Sequence, residues 1–162
     1  DIPVASMCAI EYYEDSLLPL ARLYNLEREL DQALQEKIWL KSGGFLIIQQ
    51  TEAFVAIDVN TGKHSSKKDA EENYKQINRE AALEIARQLR LRNLSGMILV
   101  DFINMKNTND QSELLQYMGS LVRSDPMQTV VVDVTALGIM EITRKKSAKT
   151  LAEQLLQLKK GE

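Results

Sequence analysis

Phe45-Leu46-Ile47-Ile48-Gln49-Gln50-Thr51-Glu52-Ala53-Phe54-Val55-Ala56-Ile57-Asp58-Val59-Asn60-Thr61-Gly62-Lys63 holds two apolar runs separated by a very short polar connection. The runs Phe45 to Gln50 and Ala53 to Val59 read as strands, and the brevity of Thr51-Glu52 requires an antiparallel pair, because a parallel pair needs a long crossover. The second strand ends at Asp58 and enters an Asn-Thr-Gly turn and a basic loop. A third apolar run, Met97-Ile98-Leu99-Val100-Asp101, also closes on an acid. An amphipathic helix from about Asp69 to Arg92 separates the two, with Ala70, Tyr74, Ile77, Ala81, Ile85 and Leu89 on one stripe. Ser42-Gly43-Gly44 breaks the pattern upstream. Further along, Asp110 to Arg123 predicts a helix, Thr129 to Val134 and Ile139 to Thr143 predict strands, and Ala148 to Leu158 a last helix. Leucines at spacings of three and four predict one helix near Ser16 to Gln35. Strands alternating with helices, plus hairpin-like connections, define an α/β fold with a mixed sheet layered with helices.

Composition narrows the function classes. The 162 residues suit one domain with a sizeable core, and 44% hydrophobic with 27% charged residues is ordinary for a globular protein. A net charge of −3 does not announce a nucleic-acid binder, so any such role rests on local charge patterning. One cysteine, Cys8, excludes an internal disulfide and a multi-cysteine zinc site within this sequence. No apolar stretch approaches the length of a membrane span, and a cytoplasmic setting is expected.

The acids carry the chemistry. A carboxylate at the C-terminal end of a strand sits where α/β sheets place their sites. Two of them, Asp58 and Asp101, can share a hard divalent cation such as Mg²⁺, which keeps water or phosphate on its other positions. Asp58 and Asn60 can alternatively be turn residues that bond the following backbone. Asp101, closing a hydrophobic run, must be solvated, paired or metal-bound. Asp133 is read as a sheet-end residue rather than a third ligand. Lys63, Lys67 and Lys68 can grip phosphates beside the first aspartate or form a solvated loop; Arg144 and Lys145, ending a strand, are the stronger phosphate contacts. Arg87, Arg90 and Arg92 read as the wet face of the long helix. His64 has no partner for acid–base catalysis, Trp39 is expected to anchor packing near the Ser42-Gly43-Gly44 turn, and Cys8 to be inert.

Six blocks in order resemble the ribonuclease E/G family: Lys37 to Gly44, Gln50 to Ala53, Ile57 to Lys63, Ala86 to Arg92, Val100 to Met105 and Leu137 to Lys146. The resemblance implies a deoxyribonuclease-I-like catalytic subdomain of an endoribonuclease that cuts single-stranded RNA internally, leaves a 5′ phosphate, and serves RNA processing and decay. It implies Mg²⁺, with Mn²⁺ as a substitute, held by Asp58 and Asp101, with Asn60 orienting them. Asn104 and Gln49 stand where relatives often carry acids, and Asn104, by lowering the negative charge near Asp101, predicts weaker metal binding. Residues 1–15 are read as the tail of a preceding region and 16–162 as the catalytic domain. OB-fold, 5′-sensing and zinc-linking parts are not recognised, so RNA capture is expected to be weak, and the leucine-rich segment to support a homo-oligomer. The alternatives are a catalytically silent assembly module and an unrelated metal-dependent phosphoesterase.

Overall fold

The structure, a computed structural model, describes residues 11–62 and 70–160. The chain divides into two compact units, Asp1–Ala33 and Leu34–Glu162.

In the first unit the expected helix is broken. Helix α1 covers Leu20–Leu23 and α2 covers Leu26–Ala33. Pro19, whose φ suits a helix start but whose ring cannot continue one upstream, precedes α1. Between the helices Asn25 adopts φ 54°, a left-handed conformation that asparagine tolerates and that interrupts the helical hydrogen bonds. Leucine periodicity ran through this break because side-chain spacing does not register one backbone reversal.

The second unit is a six-stranded sheet with strand order β1-β2-β3-β4-β6-β5, built from β1 (Lys37–Trp39), β2 (Phe45–Gln50), β3 (Phe54–Asn60), β4 (Gly96–Asp101), β5 (Thr129–Val134) and β6 (Ile139–Arg144). The helices are α3 (Ala70–Leu91), α4 (Thr108–Val122) and α5 (Leu151–Lys160). β2 and β3 pair antiparallel, as so short a connection requires; the link is the three residues Thr51, Glu52 and Ala53, because β3 begins at Phe54 rather than Ala53, and Thr51 closes that turn with its hydroxyl and N–H both donating to the Phe54 carbonyl. β3 and β4 pair parallel, with α3 in the intervening crossover; the remaining neighbours are antiparallel. The sheet is therefore mixed. Edge strand β1 is too short for periodicity to reveal, and sequence reading missed it.

Strand alternation sorts the side chains onto two faces. Leu46, Ile48, Val55, Ile57, Val59, Ile98, Val100, Met140 and Ile142 point to the core, joined there by Ile77, Ala81, Ile85 and Leu89 of α3 and by Leu114 and Met118 of α4. The small alanines let α3 approach the sheet closely. The opposite face presents Trp39, Phe45, Ile47, Asp58, Asn60, Met97, Leu99 and Asp101, half-buried or exposed.

Two interior polar groups fix the architecture. Arg144 of β6 is 4% exposed; its guanidinium grips Asp125 through Nε (2.8 Å) and Nη2 (3.2 Å), while Nη1 donates to Asn93 Oδ1 and the Leu94 carbonyl. Burial alone would raise the Asp125 pKa, but Arg144, the Met127 N–H and the Thr129 hydroxyl outweigh it and hold this carboxyl below the usual carboxylate range. Arg92 is also buried, donating to Gln88 Oε1 and the Gln35 carbonyl, so it does not belong to the wet face of α3. Arg87 remains outside, paired with Glu84.

Candidate two-carboxylate site

Asp58 and Asp101 are direct partners in the register of the parallel β3–β4 pair, each the last or near-last residue of its strand. Paired residues in a ladder project to the same face, so the two carboxylates stand on adjacent strands about 5 Å apart in backbone spacing. Both are exposed, on the face away from the core. Like charges placed opposite each other repel, and among the described residues neither forms an ion pair. Asn60, two residues past Asp58 and on the same face, donates from Nδ2 to Asp58 Oδ2 at 2.8 Å. That bond fixes one carboxylate oxygen and leaves the other free.

The backbone around Asn60 is held by the turn between β1 and β2. A Cβ on Gly44 would lie 2.8 Å from the Asn60 carbonyl oxygen, and one on Gly62, at φ 71°, would lie 2.1 Å from the Gly43 oxygen. Only glycine permits both the close approach and the left-handed φ. Two motifs separated in sequence, Ser42-Gly43-Gly44 and Asn60-Thr61-Gly62, thus pack on each other. Glu80 of α3 secures the turn from below, accepting from the N–H groups of Lys41 and Ser42.

Asp101 is positioned by a residue that sequence reading did not single out. Asn78 of α3, fully buried, donates to the Ile103 carbonyl (2.8 Å) and accepts from the Ile103 N–H (3.0 Å), extending the hydrogen bonding of β4 past its end. Gln111 donates to the Met105 carbonyl at 2.6 Å. The loop after Asp101 is therefore tied to both helices. A cavity of about 350 Å³ opens beside Asp101, lined by Asn104, Gln111, Thr135 and Leu137 among others. The one available signal for Asn78 was a polar residue adjoining Ile77 inside the apolar stripe of α3.

Other expected site residues fall elsewhere. Arg144 and Lys145 lie at the far end of β6: Arg144 pairs with Gly96, whereas Ile139 pairs with Asp101. Five residues of strand put them roughly 16 Å from the carboxylates. Arg144 is moreover buried and spent on Asp125, which makes it an internal brace rather than a phosphate contact, whereas Lys145 is exposed. Asp133 pairs with Glu141, two strands from β4, and accepts from the Val134 N–H, as a sheet-end residue does. Lys63, Lys67, Lys68, His64 and Cys8 lie outside the described residues. Trp39 is 64% exposed and anchors no core, because β1 is an edge strand and its indole points to the face opposite the core.

Among the described residues no cluster of three or more histidine, cysteine or acidic residues has the geometry of a metal cage, and no helix is long and apolar enough to cross a membrane. Two strand-end carboxylates on a crossover sheet, one oriented by an asparagine, define instead the class of α/β domains with a two-carboxylate site at the C-terminal ends of parallel strands. The chain belongs to the ribonuclease E/G family, whose family model matches residues 3–147. It is 40% identical over 137 residues to ribonuclease G of Escherichia coli, covering 85% of this chain and 28% of that protein. It is likewise 40% identical over 137 residues to ribonuclease G of Haemophilus influenzae, and 38% identical over 144 residues to ribonuclease E of a Nostoc species, covering 89% of this chain and 21% of that protein. The chain thus spans less than a third of the length of these relatives.

Proposed function

We propose that this domain carries the catalytic centre of a metal-dependent endoribonuclease acting on single-stranded RNA. The observation that supports this most is the in-register pairing of Asp58 with Asp101, with Asn60 Nδ2 2.8 Å from Asp58 Oδ2. Two exposed, adjacent oxygen donors with no cation paired to them among the described residues suit Mg²⁺, which takes one or two carboxylates and leaves its other positions to water and phosphate. Mn²⁺ shares this preference for oxygen donors. When bound, such an ion supplies a water activated for attack and offsets charge on the phosphate oxygens.

The chain's own residues do the rest. Asp58 and Asp101 would hold the ion at the C-terminal ends of the central strands β3 and β4, on the face opposite the core. Asn60 sets the rotamer of Asp58. The Gly44–Gly62 contact fixes the backbone of Asn60, and Asn78 with Gln111 fixes the loop leaving Asp101; together they keep the two donors at a constant separation, which matters because misplacement by about 1 Å can cost 100-fold in rate. Water attack in line with the departing 3′ oxygen breaks the P–O3′ bond, leaving a 5′ phosphate and a 3′ hydroxyl.

Cleavage of a short unstructured RNA in Mg²⁺, compared between the native chain and Asp58→Asn and Asp101→Asn, tests this reading. Cleavage lost in both variants with the fold intact is the expected result. Cleavage unaffected by Asp101→Asn, or none from a folded, metal-binding sample, overturns it.

A further inference from the structure

The sheet face opposite the core carries more than the two carboxylates. Register aligns Lys37, Ile47, Asp58 and Asp101 in one row across four strands, and Trp39, Phe45 and Asn60 in the neighbouring row. Lys37 and Trp39, two residues apart on β1, share this face. The indole and the Phe45 ring meet at 5.2 Å between centroids with planes tilted by 60°. Lys37 Nζ lies 4.1 Å from the Trp39 ring centroid and 3.8 Å from that of Phe45.

Among the described residues none of the three belongs to the buried core. Trp39 leaves 64% of its surface exposed on an edge strand, and no carboxylate pairs with Lys37 among the described residues. An exposed indole braced by a second ring and a lysine is chemically matched to a nucleotide: bases stack on aromatic faces, and cations beside them take the phosphate. Because the cation–π contacts already order the indole, little further freedom is lost when a base arrives. The cluster is also continuous with the carboxylate site, since Phe45 is the register partner of Asn60, and two strand spacings, about 10 Å, separate Lys37 from Asp58.

We propose that Trp39, Phe45 and Lys37 form a nucleotide subsite, in which one base of the RNA strand stacks on Trp39 and its phosphate lies beside the Lys37 ammonium, on the side of Asp58 away from Asp101. The subsite rests on the reading of Asp58 and Asp101 as the cleavage centre, and it makes Trp39 a binding residue that positions the strand without touching the reacting atoms.

Trp39 is the one tryptophan of the chain, so intrinsic fluorescence reports this position alone. The native chain is titrated at low salt, without divalent metal, with a short unstructured RNA and separately with inorganic polyphosphate, which offers charge without bases. RNA should quench Trp39, and polyphosphate should not. Trp39→Ala should weaken RNA binding about 5- to 150-fold, as loss of one stacked base does, while Trp39→Phe should retain most of the affinity. Lys37→Gln should lower the slope of log affinity against log salt by about 0.7, the share of one phosphate contact on a single strand. RNA that binds without quenching, with Trp39→Ala binding as tightly as the native chain, overturns the subsite. So does the absence of RNA binding at low salt, or a loss of self-association as the sole effect of Trp39→Ala. The cleavage reading is judged separately by Asp101→Asn: its failure with quenching intact would strike the catalytic assignment and leave an RNA-binding face.

Discussion

Replacing Arg144 by methionine separates an internal brace from a phosphate contact. The Arg144 and Asp125 side chains are 3% and 2% exposed, and Nε and Nη2 hold both carboxylate oxygens. The substitution keeps most of the side-chain length but leaves Asp125 buried with only the Met127 N–H and the Thr129 hydroxyl, and strips Asn93 Oδ1 and the Leu94 carbonyl of their donor. Breaking a buried pair by removing one partner costs about 3–5 kcal/mol, and a domain of ordinary stability has only about 5–15 to lose. Urea denaturation should therefore show an unfolding free energy lowered by that amount, read as a lower midpoint at constant slope, and the melting temperature should fall by roughly 6–20 °C. Lys145→Met, one residue further and exposed, should stay within about 0.5 kcal/mol of the native chain. An Arg144→Met protein as stable as the native one, but weaker in RNA binding, would refute the brace.

Acid should destabilise the second unit for a related reason. The Asp125 pKa is lowered in the folded state, so its contribution is fully present above the unfolded value of about 3.9 and is lost as pH falls through the lower folded value; stability against pH should drop below about pH 4, and less steeply in Asp125→Asn. Asn78→Ala should leave the Ile103 N–H and carbonyl unpaired in the interior, costing about 1–3 kcal/mol for each unsatisfied group by chemical denaturation, and should weaken metal binding through Asp101. Gly62→Ala, forced against the Gly43 oxygen, should lower metal affinity by displacing Asn60, as isothermal titration with Mn²⁺ would show. Saturating Mg²⁺ at 100-fold above its dissociation constant should stabilise the native chain by about 2.7 kcal/mol, a rise in melting temperature of roughly 5–11 °C, and should do nothing for Asp58→Asn.

What the sequence made legible was whatever one strand or helix expresses by itself. Apolar runs ending at Asp58 and Asp101 marked strand ends, and the stripe through Ile77, Ala81 and Ile85 marked α3. Neighbour relations were less accessible. Arg144-Lys145-Lys146 looks like a solvated cluster until Asp125, nineteen residues away, is seen beneath it. Asn25 and β1 were hidden because one residue's φ and a three-residue strand leave no period. Trp39 was misjudged because hydrophobicity says that a side chain prefers the interior, whereas the strand order decided that its position has none to offer. Asn78 was passed over for the opposite reason: a polar side chain in a stripe reads as noise unless the loop it binds is known.

Asp58 and Asp101 are proposed to hold one divalent cation between them. Titration of the isotopically labelled chain with Mn²⁺, followed by paramagnetic broadening of its amide resonances, tests it most directly. Broadening should centre on Asp58, Asn60 and Asp101, spread to Ile103 and Asn104, be displaced by excess Mg²⁺, and vanish in the Asp58→Asn, Asp101→Asn double variant. Broadening centred elsewhere, or persisting at these residues in the double variant, would contradict it.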